Sequence, residues 1–509
     1  MDAIRTDSRR SSPTSSQCKG KSRTRSAVAL AALLAVACLL VGGCAVGPNY
    51  HPPKEDSPPA FANGVQTNLA PDPIAITWWR GFNDELLNQL VSQALLTNHD
   101  LRIATARLRE ARAFYGGAVA DFFPVAEATA SYNKSVSSKD SVPFPLTREQ
   151  RELQLFSAGF DATWELDIFG RVRRSVEASA ADMGMTQAAR QDVVVSLIGE
   201  VALNYIQLRG QQHLLATAQD NVGNQRDTLE IAQARTKAGR ATDLDTARAL
   251  AQLNATLAAI PPLEAAIQRS IHRLSVLTGQ LPTALESQLV TPAPIPALPL
   301  MVNIGDPAGL LRRRRDIRTA ERSLAAATAR IGVQVADLFP RVTFNGNVGL
   351  SANHLAGLGA SGADYYSFGP QITWAALDIG HVSARIRASR AHAEGELANY
   401  QKTVLTALEE TENALVDFGR EQARRDYLRE SQRSAKDATD LARQRYEGGL
   451  ADFLPVLDAQ RTQLAVEAEL AQSETRTATD LIALYKALGG GWEIGSEHAS
   501  AGRGVSHGN

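Results

Sequence analysis

The sequence predicts a mainly α-helical chain that also supplies four amphipathic strands to a membrane β-barrel, with several subunits pooling strands to close it. Three features point there: an apolar export signal that ends at a cysteine, segments of strict two-residue alternation, and proline-free stretches with a seven-residue apolar spacing. The strand and helix features occur in two copies along the chain.

At the N-terminus, Lys19, Lys21, Arg23 and Arg25 precede an apolar run from Ala27 to Leu40, the layout of a secretory signal. At roughly 14 residues the run is shorter than the ~20 a permanent transmembrane helix needs. Leu40-Val41-Gly42-Gly43-Cys44 looks like a bacterial lipobox, so residues 1–43 read as a signal peptide and Cys44 as the acylated first residue of the mature protein. The alternative is an ordinary signal peptide with a cysteine near its end. Cys18 and Cys38 lie within the removed segment, leaving the mature chain without a disulfide. Lipid on Cys44 is the only attached group expected; no cofactor or metal is implied. Lys and Arg number 53 against 54 Asp and Glu, a balance that gives no reason to expect a nucleic-acid partner.

Self-similarity comes next. ADFFP, ending at Pro124, recurs as ADLFP, ending at Pro340, and WELDIFGRV from Trp164 recurs loosely as WAALDIGHV from Trp374, an offset of about 210 residues. AGRATDL from Ala238 matches GGLADFL from Gly448, and Leu277-Thr278-Gly279 matches Leu488-Gly489-Gly490. The chain therefore divides into a lipid-anchored extended segment (44–78), a first copy (79–282), a proline-rich extended linker (283–306), a second copy (307–492) and a tail (493–509) whose composition suggests disorder.

The strands follow the two proline landmarks. Ala126, Ala128, Ala130 and Tyr132 alternate with Glu127, Thr129 and Ser131; Phe156, Ala158, Phe160, Ala162, Trp164 and Leu166 alternate with Ser157, Gly159, Asp161, Thr163, Glu165 and Asp167. In the second copy Val342, Phe344, Val348 and Leu350 face away from Arg341, Thr343, Asn345 and Asn347, and Tyr366, Phe368, Ile372 and Trp374 away from Ser367, Gly369, Gln371 and Thr373. Each segment runs about 9–12 residues, enough for a tilted strand to cross a bilayer. A half-buried sheet in a soluble protein alternates in the same way. The carboxylates and amides on the polar side, suited to a wet lumen, favour the barrel.

Most of the rest predicts long helices. Val172 to Lys237 holds no proline, and Val194, Val201, Leu208 and Leu215 recur at coiled-coil spacing. A helix of about 65 residues would extend near 100 Å, a rod that has to project from a membrane. Ile317, Leu324, Ile331 and Leu338 repeat the spacing, as do Leu457, Leu464, Ala471, Ala478 and Tyr485. Pro261-Pro262 predicts a kink or break, and the Arg312–Arg315 run reads as a solvated helix face.

CAVGPNYHPP after the lipobox, WWRGFND at Trp78, the two proline boundaries and the paired glycine-containing helix joins resemble the outer-membrane efflux protein family of TolC and OprM type, in its lipoprotein branch. The resemblance spans nearly all of the mature chain. It implies a homotrimer in outer-membrane lipid, with a twelve-stranded barrel and a long coiled-coil helical barrel through the periplasm. It also implies docking to a periplasmic adaptor protein and an inner-membrane transporter of the resistance-nodulation-division type. Drugs, metals or other solutes would pass out on energy supplied by the partner, so no catalytic residue is required. The resemblance further implies a periplasmic gate in which Tyr446 hydrogen-bonds a neighbouring helix pair, Asp245 can receive that bond, and Asp458 lines the constriction; a second acidic position of the family is Pro455 here. For each residue a plainer role stands beside this one: interface packing for Tyr446, and a helix N-terminal charge for Asp245 and Asp458. An outlet for protein secretion, a non-conducting coiled-coil envelope protein and an enzyme are the other classes weighed; the scattered His residues and the lack of a phosphate-loop spacing disfavour the last.

Overall fold

The computed structural model describes residues 45–54, 57–65, 68–141 and 144–493. The signal segment, Cys44 and the tail from residue 494 on lie outside them.

The same order of elements is used twice. The first copy holds α1 (Glu85–Thr97), α2 (His99–Ala120), β1 (Val125–Val136), β2 (Glu152–Leu166), α3 (Arg171–Lys237) and α4 (Asp243–Leu277). The second holds α5 (Pro307–Arg313), α6 (Arg315–Ala336), β3 (Arg341–Ala352), β4 (Asp364–Thr373), α7 (Ile379–Glu447) and α8 (Phe453–Ala487). Helices α2 and α6 have 22 residues each, α4 and α8 have 35 each, and α3 and α7 have 67 and 69.

The described residues fall into two compact units, and both copies contribute to each. One comprises 117–177 and 329–389 with the residues before Tyr50. Its centre is an antiparallel sheet in the order β1-β2-β3-β4, so the join between copies is the β2–β3 pairing. Register aligns the alternation of all the strands. One row reads Ala128, Phe160, Val348 and Tyr366, and the neighbouring row on the opposite face reads Glu127, Asp161, Asn347 and Ser367. Phe160, Val348, Tyr366, Phe368 and Ile372 are exposed, whereas Asn345, Asn347 and Ser351 on the polar face are half-buried. A soluble sheet does the reverse, covering its apolar side. Polar-face groups pair with one another: Thr129 donates to Asp161 (2.8 Å), Asn345 to Gln371 (2.8 Å), and the Ser131 and Ser157 hydroxyls meet at 2.7 Å.

The recurring landmarks have a shared physical cause. The Trp164 indole N–H donates to the Phe122 carbonyl (2.9 Å), and the Trp374 indole N–H donates to the Leu338 carbonyl (3.0 Å). Each carbonyl lies two residues before its proline, so in both copies a tryptophan ties the end of a strand to the turn that leaves the preceding helix. Asp167 then caps α3, accepting from the Val172 and Arg173 amides at 3.0 and 2.9 Å.

The other unit comprises 50–116, 178–328 and 390–493. Most heptad positions are buried as the spacing predicts: Val194, Val201 and Leu208 are fully enclosed, as are Ala471 and Ala478, while Leu215 and Leu464 are half-buried. Leu338 departs from its series, because α6 ends at Ala336 and that leucine is exposed. WWRGFND forms a single tight turn whose Trp78, Trp79 and Phe82 enter the core; Trp78 stacks on Tyr485 at 4.9 Å, and Asp84 caps α1 while accepting the Tyr205 hydroxyl (2.7 Å).

Two expectations are corrected, the proline break and the solvated arginine run. Helix α4 runs through Pro261-Pro262 without a break. A proline's φ near −65° is itself helical, this stretch is exposed so water can satisfy the freed carbonyls, and Leu253 on one side and Ile271 on the other anchor the helix. The linker has no helix or strand over 292–299 and is anchored at its ends: Leu285, Leu289, Val302 and Ile304 are buried, and Val302–Asn303 pairs in parallel with Leu69–Ala70. Of the arginine run, Arg312 alone is solvated. Arg314 is buried and donates to Asp316 (2.7 Å), Glu410 (2.6 Å) and the terminal Ala487 carbonyl of α8 (3.0 Å), Arg313 pairs with Glu493, and Arg315 lies over the Trp492 ring at 3.8 Å.

Candidate functional site

The expected gate residues belong to the joins α3–α4 and α7–α8. Both joins turn on a glycine in the left-handed region, Gly239 at φ +68° and Gly449 at φ +73°, a conformation that side-chain-bearing residues resist. The hydrogen bonds repeat as well. The Arg240 amide donates to the Arg235 carbonyl and the Leu450 amide to the Arg445 carbonyl, each at 2.8 Å, the wrap-around cap that satisfies a helix's last carbonyls. The matched sequences AGRATDL and GGLADFL are thus two copies of one helix stop.

Beyond the turn the copies differ. In the first, Thr242 and Asp245 form a reciprocal capping box at the start of α4: the Thr242 amide and hydroxyl donate to the Asp245 carboxylate at 3.1 and 2.9 Å. Thr236, the counterpart of Tyr446, bonds the Thr242 carbonyl (3.2 Å) and meets the Thr246 hydroxyl at 3.1 Å, so this tip is held by its own residues. In the second, Asp452 precedes α8 without a side-chain cap, and Pro455 occupies the first turn, where a missing N–H costs little.

Tyr446 is buried in a small apolar cluster drawn from all these helices: Ala232 of α3, Ala249 of α4, and Phe453, Val456 and Leu457 of α8. Its ring meets that of Phe453 at 5.4 Å. Its hydroxyl is enclosed and has no hydrogen-bond partner among the described residues. Burial pushes the Tyr446 phenol above its ordinary pKa; the Arg235 guanidinium opposes the shift and the Asp245 carboxylate adds to it. Tyr446 and Asp245 therefore share a neighbourhood without being bonded to each other, and the Asp245 carboxylate is engaged at Thr242. Asp458 stands exposed on α8 one turn beyond Pro455.

Arg235 is the residue that sequence reasoning missed. Its guanidinium lies over the Tyr446 ring, 4.4 Å from the centroid, and donates to the Tyr446 carbonyl. Aligning the copies at their common offset would have drawn attention to it: Arg235 pairs with Arg445, while Thr236 pairs with the much larger Tyr446. Nothing among the described residues groups His, Cys, Asp and Glu as a metal site. Packing, a cap and one cation hold the tip together.

A profile of outer membrane efflux proteins matches residues 90–280 and again 307–490. The chain belongs to the outer membrane efflux protein family. Among the relatives of this efflux protein, SrpC of Pseudomonas putida, a solvent efflux pump outer membrane protein, is 32% identical over 464 residues, covering 90% of this chain and 97% of that one. Nodulation protein T of Rhizobium leguminosarum bv. trifolii is 32% identical over 459 residues, covering 89% and 96%. The solved outer-membrane channel OprN is 41% identical with a TM-score of 0.83, covering 88% of this chain and all of that one. The open-state channel MtrE of Neisseria gonorrhoeae is 26% identical with a TM-score of 0.75, covering 88% and 99%. This efflux protein is accordingly an outer-membrane channel component: its sheet is the membrane part and its long helices are periplasmic. No described helix is long and apolar enough to cross a membrane.

Proposed function

We propose that the chain works as a homotrimer whose subunits pool their strands into one twelve-stranded barrel, a passive conduit for small toxic solutes. One observation carries this reading: the sheet ends at β1 and β4 with a free edge on each, while the face toward Phe160, Tyr366 and Phe368 is apolar and exposed. Unpaired backbone edges are not tolerated in hydrocarbon, so another copy must cover them. Conduction comes without catalysis, and energy is supplied by an inner-membrane transporter of the resistance-nodulation-division type reached through a periplasmic adaptor. Relatives named for solvent and toluene efflux motivate the cargo class. Lipid on Cys44 anchors the mature N-terminus, and no other cofactor takes part.

In this reading Tyr446, Asp245 and Asp458 belong to the periplasmic gate. The buried Tyr446 hydroxyl, which has no acceptor among the described residues, supports the role, since another subunit could supply one. Three Asp458 carboxylates around a narrow axis would attract cations. The test is the mass of the detergent-solubilised protein together with its conductance in planar bilayers. A trimer that conducts is expected; a monomer that gives no current would overturn the reading.

A further inference from the structure

The two helix tips carry the same stop signal but are secured differently. The first closes on itself through Thr236, Thr242, Asp245 and Thr246. The second has no side-chain cap on α8 and places Tyr446 in the apolar cluster shared with α3, α4 and α8. What reaches it across the copies is Arg235, in the last turn of α3. This side chain stacks on the Tyr446 ring and donates to the Tyr446 carbonyl in the last turn of α7, so one cation serves the negative ends of two helices.

We propose that Arg235 is the latch that keeps the second-copy helix pair α7–α8 against the first-copy pair at the closed gate. The inference deepens the gate reading of Tyr446 and rests on it. The chemistry is specific to arginine. A planar, delocalised guanidinium can contact a ring face and still direct N–H groups to a carbonyl, whereas lysine offers a point charge and no stacking surface. Withdrawing α7 from α3 removes both contacts at once and leaves Arg445 as the basic residue in the last turn of α7. The phenol hydroxyl takes no part in the latch, so the ring and the backbone carbonyl are what the geometry requires.

The experiment is the mean conductance of the full-length wild-type protein and three variants in planar bilayers: Arg235→Met, Arg235→Lys and Tyr446→Phe. Loss of a charged hydrogen bond and a cation–π contact in Arg235→Met is expected to raise the open population roughly ten- to a hundred-fold. Arg235→Lys should fall between wild type and Arg235→Met. Tyr446→Phe, which keeps ring and carbonyl, separates the latch from the hydroxyl bond expected of the family: a wild-type level places the closing energy in the latch, and opening shows that the hydroxyl contributes as well. Tyr446→Leu added to Arg235→Met should open the channel by less than the product of the two single effects, since both remove the ring–cation contact. Unchanged conductance in Arg235→Met while Tyr446→Leu alone opens the channel would refute the latch and leave the gate reading standing. If Tyr446→Leu and Asp245→Asn also stay closed, the gate reading itself is wrong. Should Arg235→Met fail to assemble, Arg235→Lys decides the matter, because conductance equal to wild type would refute the demand for a planar cation.

Discussion

Two glycines of β3, three residues apart, should respond oppositely to the same substitution. Gly349 sits opposite Gly159, and a Cβ on Gly349 would lie 2.6 Å from the Ala158 carbonyl oxygen, 2.9 Å from the Gly159 Cα and 2.9 Å from the Tyr365 hydroxyl. Carbon and carbonyl oxygen in facing strands normally meet near ~3.3 Å, and two of these three obstacles are backbone, so the β2–β3 pairing itself has to spread. Gly346, on the other face, would place its Cβ 3.9 Å from its nearest neighbours, an ordinary van der Waals contact that forces nothing to shift. Overpacking costs about 1–3 kcal/mol, and removing a glycine where there is room stabilises by about 0.4–1 kcal/mol through the unfolded chain. Gly349→Ala and Gly346→Ala should therefore differ by about 1.4–4 kcal/mol, roughly 10- to 1000-fold in the folding equilibrium. Urea unfolding in detergent, followed through tryptophan emission, measures the gap. Equal midpoints would refute the steric account. Full rescue of Gly349→Ala by Tyr365→Ser would also refute it, by moving the clash from backbone to phenol.

Four further outcomes are expected. Asp480 is pushed from 3.8 up to about 6 by burial first and then by Asp417 and Glu421, with Arg476 opposing. The folded state thus holds the proton more tightly than the unfolded one, and stability should fall as pH rises from about 4 to about 6 and level off above; Asp480→Asn should flatten that slope in thermal melts across the range. Trp164→Phe and Trp374→Phe each lose one indole hydrogen bond to a pre-proline carbonyl, and each should lower stability by about 0.5–1.5 kcal/mol, read as reduced heat resistance of the assembled protein. Arg314→Met strips the α8 end of its donor and leaves the Ala487 carbonyl unpaired, costing about 1–3 kcal/mol; proteolysis at the C-terminal end of α8 should accelerate. Cys44→Ser should abolish incorporation of labelled fatty acid while leaving the helix content unchanged by circular dichroism.

The strands were legible because alternation is a local property: the polar and apolar partners of Phe160 or Val348 are its own chain neighbours. The long helices were legible for the same reason, from the absence of proline and the spacing of Val194, Val201 and Leu208. Misreadings arose where partners are distant in sequence. The Arg312–Arg315 run looks solvated until Glu410, Ala487 and Trp492 come to it from far along the chain. Pro261-Pro262 looks like a break until the helix is held on both sides. At the tips, the glycine stops were plain in the repeat, but the reach of Arg235 across the copies depends on how α3 lies against α7, and no window of sequence contains that.

By itself the sequence determined the element list, its duplication and the two-faced character of every strand, all of which follow from backbone sterics and near-neighbour periodicity. Only the tertiary structure decided how those elements are grouped. The chain repeats as copy one and copy two, yet the folded units are a sheet drawn from both copies and a helical body drawn from both. The physical reason is that an amphipathic strand pair cannot satisfy its edges alone, so β2 takes β3 as its partner, and a helix with a heptad stripe buries it against whichever stripe fits. These pairings are settled by complementarity across more than a hundred residues of chain, which periodicity along the chain does not encode.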